Sequence, residues 1–128
     1  MRDLYSNIGA KVALKPAVVT AAGNGEAIDT HGFGRVAFAI ATGAVAGSGD
    51  FGVKLQESDN GSTGWSDVTD AHQLQSNAPA TLEADSAYRV GYLGHKRYVR
   101  LAVTKAGGTS VALAAIAITG NNASRPVA

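Results

Sequence analysis

Arg35-Val36-Ala37-Phe38-Ala39-Ile40-Ala41 places a large apolar side chain at every second position. In an extended chain successive side chains point to opposite faces, so this period of two predicts a strand. Val36, Phe38 and Ile40 share one face, and Ala37, Ala39 and Ala41 share the other. Alanine on the second face predicts that something packs closely on that side as well. The same period recurs in Phe51-Gly52-Val53-Lys54-Leu55-Gln56, where Phe51, Val53 and Leu55 form the apolar set. Tyr88, Val90 and Tyr92 alternate with Arg89 and Gly91, and Val99, Leu101 and Val103 alternate with Tyr98, Arg100 and Ala102. Helical periodicity is nearly absent.

Two further runs are less regular. Val12 to Val19 contains Pro16, which cannot donate to a ladder and so points to an edge strand or a bulge. In Val111 to Ile118 the residues Val111 and Leu113 have one parity, and Ile116 and Ile118 the other. This predicts a long strand whose phase slips through a bulge near Ala114-Ala115. Asp70 to Ser86 reads as a loop or a short helical turn. Turn chemistry separates the runs at Asn24-Gly25, Gly43, Gly47-Ser48-Gly49-Asp50, Asp59-Asn60-Gly61, Gly94 and Gly107-Gly108. Sixteen glycines spread in this way between short strands predict an all-β fold, an antiparallel β-sandwich that is jelly-roll-like. The expected organisation is one domain, with a sandwich over 11–119, an extended N-terminal arm over 1–10 and a C-terminal tail over 120–128.

With 128 residues there is room for one core. Charged residues make up 16%, below the usual quarter, so Ala, Gly, Ser, Thr and Asn must cover the surface and let neighbouring proteins approach closely. A net charge of +1 supplies no basic excess for phosphate contacts, and nucleic acid is not an expected partner. Arg89, Lys96, Arg97 and Arg100 alternate with apolar residues and read as solvated strand positions. Cysteine is absent, which excludes disulfides, thiolate metal sites and a cysteine nucleophile. The start, Met1-Arg2-Asp3-Leu4-Tyr5, lacks the apolar run of a signal peptide, and Val111 to Ile118 is too short to cross a bilayer as a helix. No membrane partner is expected.

Catalytic patterns are missing. His31, His72 and His95 have no metal-ligand partner at i+2 or i+4. No serine sits in a Gly-x-Ser-x-Gly elbow. The run Gly43 to Gly49 lacks the lysine of a phosphate loop and reads as a hairpin loop. Asp50, Glu57, Asp59, Asn60, Asp67 and Asp70 offer oxygen ligands, but without the spacing of a regular calcium loop. The expectation is a protein that is not an enzyme and uses no metal or cofactor. Trp65, the only tryptophan, reads as an aromatic plug at one end of the sandwich, as an interface anchor or as a sugar-stacking platform.

The most distinctive text is Leu55-Gln56-Glu57-Ser58-Asp59-Asn60-Gly61-Ser62-Thr63-Gly64-Trp65-Ser66-Asp67-Val68, a strand, a tight turn and a returning strand. Tyr88-Arg89-Val90-Gly91-Tyr92-Leu93-Gly94-His95-Lys96-Arg97-Tyr98-Val99-Arg100-Leu101 follows, two strands joined through a Gly-centred turn. Together these blocks resemble the small structural proteins found beside major capsid genes in tailed phages, with similarity over most of the chain. The resemblance implies a capsid cement or decoration protein on the virion exterior, made in the host bacterial cytoplasm. Its partners would be the major capsid protein and further copies of itself, as a homodimer or homotrimer. In that role Leu4, Tyr5 and Ile8 of the arm, with Trp65 and Tyr92, are the partner-binding residues, and the Ala-rich face of the Val36 strand makes oligomer contacts. Another phage head or head-spike component would leave a similar trace. The same blocks also resemble discoidin-type jelly-roll domains through Ser58-Asp59-Asn60-Gly61, Trp65 and Arg97-Tyr98-Val99-Arg100. That resemblance implies the alternative of a glycan-binding module built from Trp65, Tyr92, Asp59 and Asn60. The chain is shorter than that family and lacks its cysteines.

Overall fold

In a computed structural model that describes residues 8–30, 33–70 and 73–122, the chain is all-β. Its strands are β1 (Gly9–Val19), β2 (Gly23–Asn24), β3 (Ile28–Asp29), β4 (Phe33–Ala46), β5 (Asp50–Ser58), β6 (Ser66–Asp67), β7 (Leu74–Ser76), β8 (Ala87–Tyr92), β9 (Tyr98–Gly107) and β10 (Ser110–Asn122). The first sheet has the order β1-β10-β4-β8-β7; the second has β2-β9-β5-β6, with β3 also paired to β9. Every pairing is antiparallel. If β2 and β3 are taken as one interrupted strand and β7 as a short edge addition, the arrangement is a jelly roll. Among the described residues only β5–β6 and β7–β8 are hairpins between neighbours in one sheet; the other long strands pass from sheet to sheet. β1 begins at Gly9 and β10 runs to Asn122, so strand structure extends beyond the expected sandwich limits at both ends.

The strands read from alternation form the two central pairs, β4–β8 and β5–β9. Val36, Phe38 and Ile40 point inward to meet Leu55, Val99, Leu101 and Val103 in the core. Several sequence expectations need correcting. Gly43 to Ala46 lie within β4, where the Val111/Leu113 register shift opposes Thr42 and Val45 and leaves one extra residue on β4. Gly47 to Gly49 then cross between sheets, with Gly47 and Ser48 at positive φ, so the run is not a hairpin loop. β8 and β9, joined through Gly94, lie in opposite sheets. The 70–86 segment is loop with a turn at its start, where the Gln73 and Leu74 amides donate to the Asp70 carbonyl, and it adds the short strand β7, which the sequence did not foreshadow.

The largest correction concerns β10. Its phase does not slip: Val111, Leu113, Ala115, Ala117 and Thr119 are all buried, while Ile116 faces outward and is 44% exposed. What changes along the strand is size, not direction. In the register Ala117↔Phe38 and Ala115↔Ile40, small inward residues of β10 sit beside large inward residues of β4. In Ile116↔Ala39 and Ile118↔Ala37 the outward sizes are reversed. The interior has room for one large residue per pair, and β4 takes it, so the isoleucines of β10 occupy the outer face. The bulges fall instead on its two neighbours: one on β4, opposite Val111 and Leu113, and two on β1, whose register to β10 shifts between Val12 and Leu14 and again between Leu14 and Ala17. The second shift brackets Pro16 on an edge strand, where a residue without an N–H is tolerated.

Thr119 is fully buried on the inner face of β10, and its hydroxyl has no hydrogen-bond partner. A buried hydroxyl left unpaired loses its hydration without compensation. Thr119→Val keeps the shape and removes the polar atom, so we expect it to raise stability by about 1 kcal/mol. A higher urea midpoint with an unchanged denaturant slope would register that gain; a lower midpoint would mean that the hydroxyl is satisfied in solution.

Candidate functional site

At one end of the sandwich Tyr92 links the sheets. Its side chain points inward from β8, is 6% exposed, and donates its hydroxyl proton to Glu57 Oε1 on β5 at 2.6 Å. The Tyr92 hydroxyl oxygen in turn accepts the Lys96 amide at 3.0 Å. Lys96 Nζ lies 2.8 Å from Asp59, and this pairing raises the ammonium pKa. Burial, reinforced by the bond to Glu57, pushes the Tyr92 phenol from 10.0 up to about 12. A folded-state pKa above the unfolded value gives stability that is complete below pH 10 and is lost as pH rises towards 12. The wild type should therefore lose on the order of 1 kcal/mol more than Tyr92→Phe across that interval, read as the difference between their urea midpoints at each pH. Parallel pH profiles for the two proteins would contradict the assignment.

Trp65 occupies a different surface. It precedes β6 on the outer face of the second sheet, and the Arg100 guanidinium stacks 4.1 Å from its ring centroid. Arg100 Nε donates to Gln56 Oε1 at 2.8 Å, Gln56 Nε2 donates to Asp67 Oδ1 at 2.9 Å, and Lys54 Nζ reaches Asp67 Oδ2 at 3.3 Å. The Gln56 hydrogen bond, joined by Lys54, holds the Asp67 carboxyl below its usual range. Trp65 is therefore half-buried within a polar network that its own sheet saturates, and it does not plug an end of the sandwich.

The turn before it is satisfied in the same way. Asn60 Oδ1 accepts the amides of Ser62 and Thr63, each at 2.9 Å, and Ser58 Oγ donates to the Thr63 carbonyl at 2.6 Å. The carboxylates considered for calcium are dispersed among separate partners. Asp50 accepts from Thr81 Oγ1 at 2.6 Å, Glu57 takes Tyr92, Asp59 takes Lys96 and Asp67 takes Gln56. Among the described residues no group of three or more His, Cys, Asp or Glu side chains is placed to hold a metal ion.

Of the partner-binding residues expected from sequence, Leu4 and Tyr5 lie outside the described residues, as do His31 and His72. Ile8 is half-buried just before β1. Tyr92 and Trp65 belong to opposite sheets and do not share a surface.

What the structure does bring together is the outer face of the first sheet. Its register aligns three rows: Ala10, Ile118, Ala37 and Gly91; Val12, Ile116, Ala39 and Arg89; and Ala114, Ala41 and Ala87. Val12 is 48% exposed and Val18, farther along the same edge strand, 66%. Together with Ile116 they are three of the four large apolar side chains exposed among the described residues. Sequence reasoning found the alanines of this face but missed the isoleucines, because the parity change in β10 was read as a bulge.

No family model matches the chain, and no curated protein matches it either. The fold is shared with a prophage protein. The crystal structure of SPBc2 prophage-derived protein YomS superimposes with a TM-score of 0.57 over 88% of this chain and 92% of that one, at 13% identity. At that identity the likeness extends to the fold alone. It covers nearly all of both chains, so the YomS structure and this one share a complete sandwich.

Proposed function

We propose that the chain is a non-catalytic structural virion protein that binds the outer surface of a phage capsid and stabilises it by bridging major capsid subunits. The observation that carries this reading is the uncharged centre of the first sheet's outer face, where isoleucine and valine stand among alanines. Contiguous exposed apolar surface of this kind marks a face that a further protein chain covers, as in a subunit of a larger assembly. The second sheet's outer face, by contrast, is occupied by the Lys54–Asp67–Gln56–Arg100–Trp65 network. The fold shared with a prophage-derived protein supports a phage origin.

Cementing a shell needs modest contacts repeated on a lattice, because several weak attachments multiply into high avidity. Ile8 immediately precedes β1, and with Leu4 and Tyr5 it is the proposed reach element. The glycan alternative has less to stand on, since Trp65 and Tyr92 are on separate surfaces.

The test is co-sedimentation of the purified protein with phage capsids that lack it. Saturation at a fixed ratio to the major capsid subunit is the expected result. A protein that stays in the supernatant at every capsid concentration overturns the reading.

A further inference from the structure

The outer face of the first sheet is complementary in shape to itself. Along β10 it presents a ridge, Ile116 and Ile118; along β4, one strand away, it presents the trough Ala37, Ala39 and Ala41. The register sets each ridge residue directly beside a trough residue, Ile116 with Ala39 and Ile118 with Ala37. A depression of about 300 Å³ lined by Ala39, Ala41, Ala87, Tyr88, Ala114 and Ile116 opens on this face.

We propose that this face binds a second copy of the chain, about a two-fold axis that runs parallel to the strands between β4 and β10. That rotation lays the β10 of one copy over the β4 of the other and preserves position along the strands. Ile116 then meets the other copy's Ala39, Ile118 meets Ala37, and Ala114 meets Ala41, each contact made twice, as an isologous interface requires. One strand farther out, β1 lies over the opposing β8, so Val12 receives the aliphatic stem of Arg89 while its guanidinium reaches water at the rim. A two-fold axis across the strands instead stacks β10 on β10, forcing isoleucine against isoleucine and leaving alanine facing alanine over a gap.

The area is sufficient. Four strands about 4.8 Å apart and roughly eight residues long present about 500 Å² per copy, hence about 1,000 Å² in total. That reaches the lower bound for a specific interface and predicts a reversible dimer. As a choice of partner within a structural virion protein the proposal rests on the reading above, and it explains how one small chain bridges two subunits: a two-fold dimer carries every capsid contact in duplicate.

Sedimentation velocity on a dilution series of the purified full chain, without capsids, tests it. The wild type is expected to be a dimer at about 100 μM and to dissociate on dilution. Ala39→Ile and Ile116→Ala should each weaken the dimer by at least about tenfold, because the lost fit occurs twice. The double variant exchanges ridge and trough and should recover affinity to within about threefold of wild type. Ile116→Glu, at a position already 44% exposed in one copy, should leave a folded monomer and covers the case in which a swapped variant fails to fold. A wild type that is monomeric at every concentration, a trimer, or a double variant no better than its singles overturns the proposal. A monomer that still saturates capsids would remove the dimer and keep the virion reading; a dimer that ignores capsids would do the reverse.

Discussion

Phe38→Ala is expected to destabilise the protein by about 3–5 kcal/mol, the largest effect of any single substitution considered. Phe38 is fully buried at the centre of β4, the strand between β10 and β8. Its register neighbours are Ala117 on one side and Val90 on the other, so no large side chain of its own sheet can swing into the space it leaves. The loss therefore combines the transfer free energy of the ring with a cavity that relaxes little. Against a typical domain stability of about 5–15 kcal/mol this is a large fraction. Urea unfolding followed by the fluorescence of Trp65, the only tryptophan, provides the measurement. A loss below about 1 kcal/mol would mean that Phe38 is not the centre of the core.

Gly25→Ala is expected to cost about 3 kcal/mol, although the glycine is neither in the core nor in a strand. Its amide donates to the Leu101 carbonyl of β9 at 2.6 Å, and the next amide, Glu26, donates to the Ala13 carbonyl of β1 at 2.8 Å. These adjacent bonds reach opposite sheets and tie the open flank of the sandwich together. A Cβ on residue 25 would collide with the Ala13 carbonyl oxygen and come within 2.7 Å of the Leu101 oxygen. Neither can retreat without breaking its own bond, so the substitution forces the flank apart. Because β1 is the edge strand that loosens, hydrogen exchange should accelerate in β1 before it does in β5 or β9. Wild-type protection of β1 in Gly25→Ala would overturn this account.

The two predictions differ in how far the sequence foreshadowed them. Phe38 was legible, because alternation is a local property of an extended chain and three large residues of one parity define an inner face wherever the strand ends up. Asn24-Gly25 was legible as a turn, but the need for glycine comes from two carbonyls far away in sequence, Ala13 and Leu101, which meet there only in the folded chain. Tyr92 and Glu57 are a similar case. Each is ordinary in sequence, and their 2.6 Å hydrogen bond exists because β8 and β5 face each other across the sandwich.

The sequence by itself determined the class of the fold, the strands β4, β5, β8 and β9 with their inner faces, and an edge strand disrupted near Pro16. Period-two patterning, turn chemistry and the missing N–H of proline act over a few residues and leave no choice once the chain is extended. Only the tertiary structure decided which strands share a sheet, that Gly47 to Gly49 cross between sheets, and that Arg100 stacks on Trp65. It also decided which face of β10 is inside. A strand that is apolar on both faces carries no inside of its own. The choice falls to size: Phe38 and Ile40 fill the interior beside Ala117 and Ala115, and the isoleucines of β10 are left outside, where they form the ridge that a second copy can cover.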